Sequence, residues 1–127
     1  MKQQHVLVVD DSATMRRMVK ISLRELKGVA FEEASNGLEA IERLALVPID
    51  LMILDLNMPD MHGVEVLKFL RNHENFQTIP VIILTTRGDE ESRNATFEAG
   101  ASCYFTKPFE PSVLAKHAQE LLALKTG

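Results

Sequence analysis

Short segments in which nearly every residue is apolar recur along the chain. Three of them, residues 6–9, 49–54 and 81–84, are rich in valine, isoleucine and leucine. Strands that are hydrophobic on both faces are typical of a parallel sheet covered on both sides, so these segments predict buried parallel strands. Residues 29–34 and 102–105 have mixed polarity and predict strands nearer the sheet edges.

Helical patterns follow these segments. Ser12 and Asn36 are residue types that cap helix N-termini, whereas Gly28 and Pro48 are typical of positions just beyond a helix end. Apolar residues follow each cap at helical spacing: Met15, Met18, Val19, Leu23 and Leu26, then Leu38, Ile41 and Leu44. The predicted helices run from Ser12 to about Leu26, from Asn36 to the break at Pro48, and over approximately residues 63–72, 89–99 and 111–124.

The alternation of five strands with five helices predicts the fold class. Right-handed strand–helix–strand crossovers build an α/β, doubly wound parallel sheet. Five strands favour the flavodoxin-like order 2-1-3-4-5, whose ligand site lies at the carboxyl ends of the first and third strands. A chain of 127 residues suits a single domain over residues 1–127, and a TIM barrel would need about twice this length.

Composition and charge narrow the classes of partner. Hydrophobic residues make up 46% and charged residues 25%, which is typical of a soluble globular protein, and no apolar run approaches the roughly 20 residues of a membrane span. No secretory leader precedes the first strand, so we expect a cytoplasmic protein. The net charge of −4 argues against nucleic-acid binding, and Arg16 and Arg17 are interpreted as a solvated helix face. The lone Cys103 is interpreted as a buried structural residue.

Polar and charged residues stand where the predicted strands end. Asp10 and Asp11 follow the first strand, Asp55 ends the third, Thr85 ends the fourth and Lys107 follows the fifth. The carboxyl ends of parallel strands share one edge of a sheet, so we expect these side chains to converge.

Such a cluster has a definite chemistry. Three neighbouring carboxylates repel one another unless a cation lies between them, and an all-oxygen ligand set suits Mg²⁺. Lys107 can pair with a carboxylate at rest and with a phosphoryl oxygen afterwards. A carboxylate held between Mg²⁺ and a lysine can act as a nucleophile toward phosphorus, with the Thr85 hydroxyl and backbone N–H groups stabilising the peripheral oxygens.

Four motifs carry a family resemblance. They are the Asp10-Asp11 pair, the stretch Leu-Asp-Leu-Asn-Met-Pro-Asp-Met-His-Gly over residues 54–63, Leu84-Thr85, and Thr-Lys-Pro-Phe over residues 106–109. Together they resemble the response-regulator receiver domain family, and most closely its stand-alone, CheY-like chemotaxis members. The resemblance covers essentially the whole chain and implies two-component signalling by a phosphoacceptor domain rather than a metabolic enzyme.

The resemblance implies a phosphoacceptor and a metal site. Asp55 would accept the phosphoryl group. Asp11 would bind Mg²⁺ directly, Asp10 mostly through water, and the backbone carbonyl of Asn57 would complete the protein ligands together with Asp55.

The resemblance also implies a switch. Lys107 and Thr85 would contact the phosphoryl group, and the Lys107–Pro108 bond is usually cis in this family. Tyr104 matches the family's switch aromatic, which turns inward when Thr85 moves toward the phosphate.

Gly63 is expected to be a close-packing position before the third helix, and His62 an ordinary loop residue.

Three positions are expected to tune how long the phosphoryl group survives. The family places lifetime-tuning side chains at the positions of Asn57 and Arg87. Thr86 stands where receivers often carry Ala, Ser or Gly, and its β-branched side chain narrows access to the phosphoryl pocket. We therefore expect a phosphoryl lifetime different from that of CheY-like relatives. These side chains do not fix whether it is longer or shorter.

Partners and alternatives follow from the same resemblance. The donor would be a histidine kinase or phosphotransfer protein, and the target a protein that binds the face formed by the fourth helix, fifth strand and fifth helix of a monomer. A non-phosphorylated docking module and a receiver excised from a larger hybrid kinase or transcription regulator stay open.

Two other classes of α/β protein fit less well. A haloacid-dehalogenase hydrolase needs a second Asp two residues after its nucleophile, which Asp10-Asp11-Ser12 lacks. A flavodoxin or a nucleotide-binding protein needs a phosphate-binding loop after the first strand, and residues 10–14 contain no glycine.

Overall fold

The computed structural model describes the backbone of residues 3–126 and the side chains of residues 3–123. Strands and helices alternate throughout. They are β1 (Gln4–Val9), α1 (Ala13–Leu23), β2 (Val29–Ala34), α2 (Gly37–Leu46), β3 (Leu51–Leu54), α3 (Gly63–Arg71), β4 (Val81–Thr85), α4 (Glu90–Glu98), β5 (Cys103–Thr106) and α5 (Pro111–Thr126). Within the described residues, no helix has the length and apolarity needed to cross a membrane.

The five strands form one parallel sheet. Their order is β2-β1-β3-β4-β5, as the sequence predicts. β1 lies between β2 and β3, so that Val9 pairs with Ala34 on one side and with Leu54 on the other. This register aligns the ends of the strands that carry the candidate site.

Both faces of the sheet are covered by helices. Alternate residues of β1 enter different hydrophobic clusters: Leu7 and Val9 belong to the cluster that includes α2 and α3 residues, whereas Val6 and Val8 belong to the cluster that includes α1 and α5 residues. β3 and β4 are buried on both faces for the same reason, as their continuously apolar sequences predict. β2 and β5 are edge strands and are less buried. Cys103 in β5 is half-buried, and burial raises the pKa of its thiol.

The predicted caps are confirmed. The Ser12 hydroxyl accepts from the Met15 amide at 3.2 Å, and the Asn36 side chain accepts from the Glu39 amide at 2.9 Å. α1 nevertheless ends at Leu23 rather than near Leu26, because residues 24–27 leave the helix in a turn before Gly28, whose φ is +72°.

Two apolar positions predicted on buried helix faces are exposed. Met18 is 47% exposed and Leu38 is 57% exposed. The sheet-facing side of α1 is filled by Val19 and Leu23, and that of α2 by Ala40 and Leu44. Helical spacing alone could not separate the centre of the apolar stripe from its flank.

Candidate functional site

The ends of four strands bring the predicted site residues together. Asp10 follows the last residue of β1, Asp55 follows β3, Thr85 ends β4 and Lys107 follows β5. The Asp55 amide bonds to the Val9 carbonyl and the Lys107 amide to the Thr85 carbonyl, so adjacent strand ends are fixed to one another.

Three carboxylates form the centre of the site. Asp10, Asp11 and Asp55 each offer an oxygen, and these oxygens all lie within 4.8 Å of one another. Asp10 and Asp55 are 4% and 5% exposed, whereas Asp11 lies open to solvent. A cluster of hard oxygen donors with one open side is the donor set that suits a divalent cation such as Mg²⁺.

Lys107 supplies the positive charge. Its Nζ lies 2.8 Å from Oδ2 of Asp10 and 3.6 Å from Oδ2 of Asp55, and its side chain is 12% exposed. The lysine therefore pairs more closely with Asp10 than with Asp55. The Lys107–Pro108 peptide bond is cis.

The local environment makes Asp55 unusual. Burial raises the pKa of its carboxyl group, and the charge of Asp10 raises it further. Lys107 opposes both effects, with smaller contributions from the Thr85 hydroxyl and the Asn57 amide, which lies 3.4 Å from Asp55 Oδ1. The shift is upward because Lys107 is shared with Asp10 and does not fully offset desolvation.

The loop after β4 joins Thr85 to Tyr104. Thr85 is fully buried, and its hydroxyl accepts weakly from the Arg87 amide at 3.4 Å. Tyr104 is 6% exposed in the inward position, where its hydroxyl donates to the Arg87 carbonyl. Thr86 and Arg87 point their side chains to the surface, and Arg87 Nε lies 3.6 Å from Asp89 Oδ1. Asn57 is also exposed.

Arg16 is a structural part of the site that the sequence interpretation missed. Its Nη1 donates to the Asp10 backbone carbonyl at 2.5 Å and its Nε to Glu33 at 2.9 Å. The predicted solvated face is therefore wrong for Arg16, whose side chain is 16% exposed, although Arg17 is exposed. Glu33 lies 17 residues away on β2, so no local pattern indicated this pairing.

The loop after β3 is held by two further features. Asp60 accepts from the Gly37 and Leu38 amides, both at 3.1 Å, and so ties this loop to the N-terminus of α2. A Cβ on Gly63 would lie 2.6 Å from the Asp55 carbonyl oxygen, so the predicted close packing of this glycine is confirmed. His62, interpreted as an ordinary loop residue, caps α3 by accepting from the Val64 amide at 3.3 Å.

Known proteins are similar to this chain in sequence and fold. Residues 6–119 match the model of the response regulator receiver domain. Chemotaxis protein CheY1 of Helicobacter pylori is 40% identical over 118 residues, which cover 92% of this chain and 95% of that protein. The chemotaxis response regulator CheY4 of Vibrio cholerae has a TM-score of 0.85 at 34% identity, with 94% of this chain and 99% of that chain covered.

A further similar structure was solved with a divalent metal. The Mn²⁺-bound form of response regulator Rcp1 has a TM-score of 0.79 at 30% identity, with 93% of this chain and 91% of that chain covered. The fold, the acidic cluster at the strand ends and the family match agree with one another. The chain belongs to the response regulator receiver domain family, a family of signalling domains.

Proposed function

We propose that residues 1–127 form a single receiver domain in which Asp55 accepts a phosphoryl group from a phosphohistidine on a histidine kinase or phosphotransfer protein. The observation that carries this proposal is the buried Asp55 carboxylate, with Lys107 at 3.6 Å and two further carboxylates beside it. A buried nucleophile with a cation and an acidic cluster is suited to phosphoryl transfer and poorly suited to a purely structural role.

The metal assignment rests on the donor set. Asp11 and Asp55 would bind Mg²⁺ directly, the Asn57 backbone carbonyl would be a further ligand, and Asp10 would act through water. When bound, Mg²⁺ would neutralise the carboxylates and the phosphoryl oxygens. Asp10 meanwhile accepts from the Ser12 amide at 2.9 Å, which orients its carboxylate.

The transfer needs little from the protein beyond position and charge. An oxygen of Asp55 attacks phosphorus, the P–N bond of the donor breaks, and the leaving imidazole keeps the bonding electrons. Lys107 turns from its carboxylate partners toward a phosphoryl oxygen, and the Thr85 hydroxyl donates to another. The product is an aspartyl phosphate on Asp55.

The output is a change of surface. Movement of Thr85 would change the contacts of the β4–α4 loop with Tyr104 and so link the phosphoryl group to the face formed by α4, β5 and α5, where a target protein binds the monomer. Inverting a two-state equilibrium from 1:99 to 99:1 takes about 5.5 kcal/mol, so a few contacts suffice. The similarity to CheY1 favours a stand-alone chemotaxis regulator as the cellular role.

The decisive experiment is an amide NMR titration with beryllofluoride, with and without Mg²⁺. Shifts at Asp55 and Thr85 that require Mg²⁺ and extend to Tyr104 and α5 are expected, and Asp55→Asn should abolish them. An unresponsive wild-type chain would instead support the docking-module alternative. Mg²⁺-dependent labelling with a phosphorylated donor kinase would then test the transfer itself.

The lifetime of the phosphoryl group is a separate part of the proposal. Thr86 and Arg87 are exposed beside the site, and with Asn57 they border the approach of water to the phosphoryl group. Thr86→Ala and Arg87→Glu are expected to change the dephosphorylation rate several-fold, whereas Arg17→Ala, on the exposed face of α1, should not. Unchanged decay in both variants would refute this role.

A further inference from the structure

The Tyr104 ring contacts α4 as well as the core. Arg93 lies with its guanidinium carbon 5.7 Å from the centre of the Tyr104 ring, and Phe97 packs against the same ring with centroids 6.2 Å apart at 41°. Arg93 and Phe97 are four residues apart and therefore share one face of α4. The Arg93 guanidinium also lies 5.6 Å from the Phe97 ring centre, so the three side chains form one group.

These contacts do not involve the candidate phosphoacceptor. The Tyr104 hydroxyl donates to the Arg87 carbonyl, and the ring meets a cation and an aromatic side chain from α4. A guanidinium over an aromatic face and a tilted ring pair are both attractive. The inward position of Tyr104 is thus stabilised by groups on α4 and on the β4–α4 loop.

α4 itself is lightly anchored. Thr96 is its one buried residue along Glu90–Glu98, and Phe97 is 39% exposed. The contacts of Arg93 and Phe97 with the Tyr104 ring add to this anchoring, so the positions of the ring and of the helix are coupled.

We propose that Arg93 and Phe97 clamp the Tyr104 ring inward whatever the state of Asp55, so that α4, and not the phosphoryl group alone, sets the ring position. This inference rests on the proposed receiver function for its significance, but the clamp itself can be tested without phosphorylation. If the clamp holds the ring inward, the target face formed by α4, β5 and α5 already has much of its active arrangement before phosphorylation. A partner that moves α4 would then act on Tyr104 directly.

The amino-acid composition allows the position of the Tyr104 ring to be followed by fluorescence. Tyr104 is the only tyrosine and there is no tryptophan, so intrinsic tyrosine fluorescence reports this residue alone. Acrylamide quenching and ring NMR should be measured without Mg²⁺ or phosphoryl donor in wild type, Arg93→Met, Phe97→Leu and the double variant. Asn94→Ala, also on exposed α4, is the matched control.

The expected results are specific. Wild type and Asn94→Ala should show weak quenching and an inward rotamer, whereas each clamp variant should shift the inward-to-outward ratio about two- to fivefold and the double variant about tenfold. Adding beryllofluoride and Mg²⁺ should restore the inward ring in the variants and change little in wild type. Strong quenching of wild type, or equal quenching of the double variant and Asn94→Ala, would overturn the clamp.

Failure of the receiver function would look different. Amide shifts at Asp55 and Thr85 on addition of beryllofluoride test that function independently of Tyr104. If beryllofluoride causes no amide shifts but quenching still depends on Arg93 and Phe97, the receiver function is refuted and the clamp stands. If the amide shifts are normal but quenching is the same in the clamp variants and wild type, the clamp is refuted and the receiver function stands.

Discussion

At the scale of single residues, the ionised carboxylate of Asp55 is destabilised by its burial in the folded protein. Asp55 is 5% exposed, and its nearest cation is closer to Asp10. Because its pKa is raised in the folded state, folding favours the protonated form. The ionised carboxylate therefore lowers stability fully above that raised pKa, and the penalty shrinks as pH falls from there and is gone below the ordinary pKa of the unfolded chain.

Removing this charge should stabilise the protein. Without divalent cations at about pH 7.5, Asp55→Asn is expected to raise the free energy of unfolding by on the order of 1 kcal/mol, and the difference should shrink on acidification. Urea denaturation in EDTA across the pH range measures this. Asp11→Asn, which alters an exposed carboxylate, should change stability less. A less stable Asp55→Asn at every pH would contradict the electrostatic explanation.

Arg16 and Lys20 provide a matched comparison of two cations on one carboxylate. Both pair with Glu33, but only Arg16 also bonds to the Asp10 carbonyl. Arg16→Ala should cost about 2 kcal/mol, because a part-buried carbonyl loses a charged donor. Lys20→Ala, at a more exposed pair, should cost below about 1 kcal/mol. Equal losses in urea denaturation would mean that the bond to Asp10 contributes nothing.

At the scale of elements, close packing of the start of α3 against the end of β3 positions Asp55, the proposed phosphoacceptor. Gly63→Ala would place a Cβ 2.6 Å from the Asp55 carbonyl oxygen and 2.8 Å from the Leu56 Cα, so backbone must move. We expect a loss of about 1–3 kcal/mol and amide shifts at Asp55. Gly88→Ala is the control, since its Cβ would meet only a Thr106 methyl at 3.3 Å. Wild-type stability in Gly63→Ala would refute the packing constraint.

Elements were more predictable than the contacts between them. Continuously apolar strands, helix caps and strand-end carboxylates are local signals, and they predicted the sheet order and the convergence of the site residues. The bond from Arg16 to Glu33 and the tie from Asp60 to α2 join distant segments, and no periodicity encodes them. The exposure of Met18 and Leu38 was missed because helical spacing identifies the apolar side of a helix but not which of its residues face the sheet and which lie at the margin.

At the scale of the whole molecule, metal binding should stabilise the fold. An ion that binds only the folded chain adds about 2.7 kcal/mol at 100 times its Kd. Mg²⁺ should therefore raise the thermal midpoint of wild type, EDTA should reverse the effect, and Asp11→Asn should reduce it strongly. Glu98→Gln, at an exposed position on α4, is the control. An equal response in Asp11→Asn would place the ion elsewhere.

The dispersion of the site along the chain has a consequence for synthesis. Its side chains come from residues 10, 11, 55, 85 and 107, and β1, which lies between β2 and β3, has both of its neighbours after it in sequence. A ribosome-bound chain that has not yet released β5 can present the acidic residues but lacks the lysine that partners them. Competence for the proposed phosphoryl transfer should thus arise late and abruptly during translation, and an immature chain should not compete for phosphoryl groups with the folded protein.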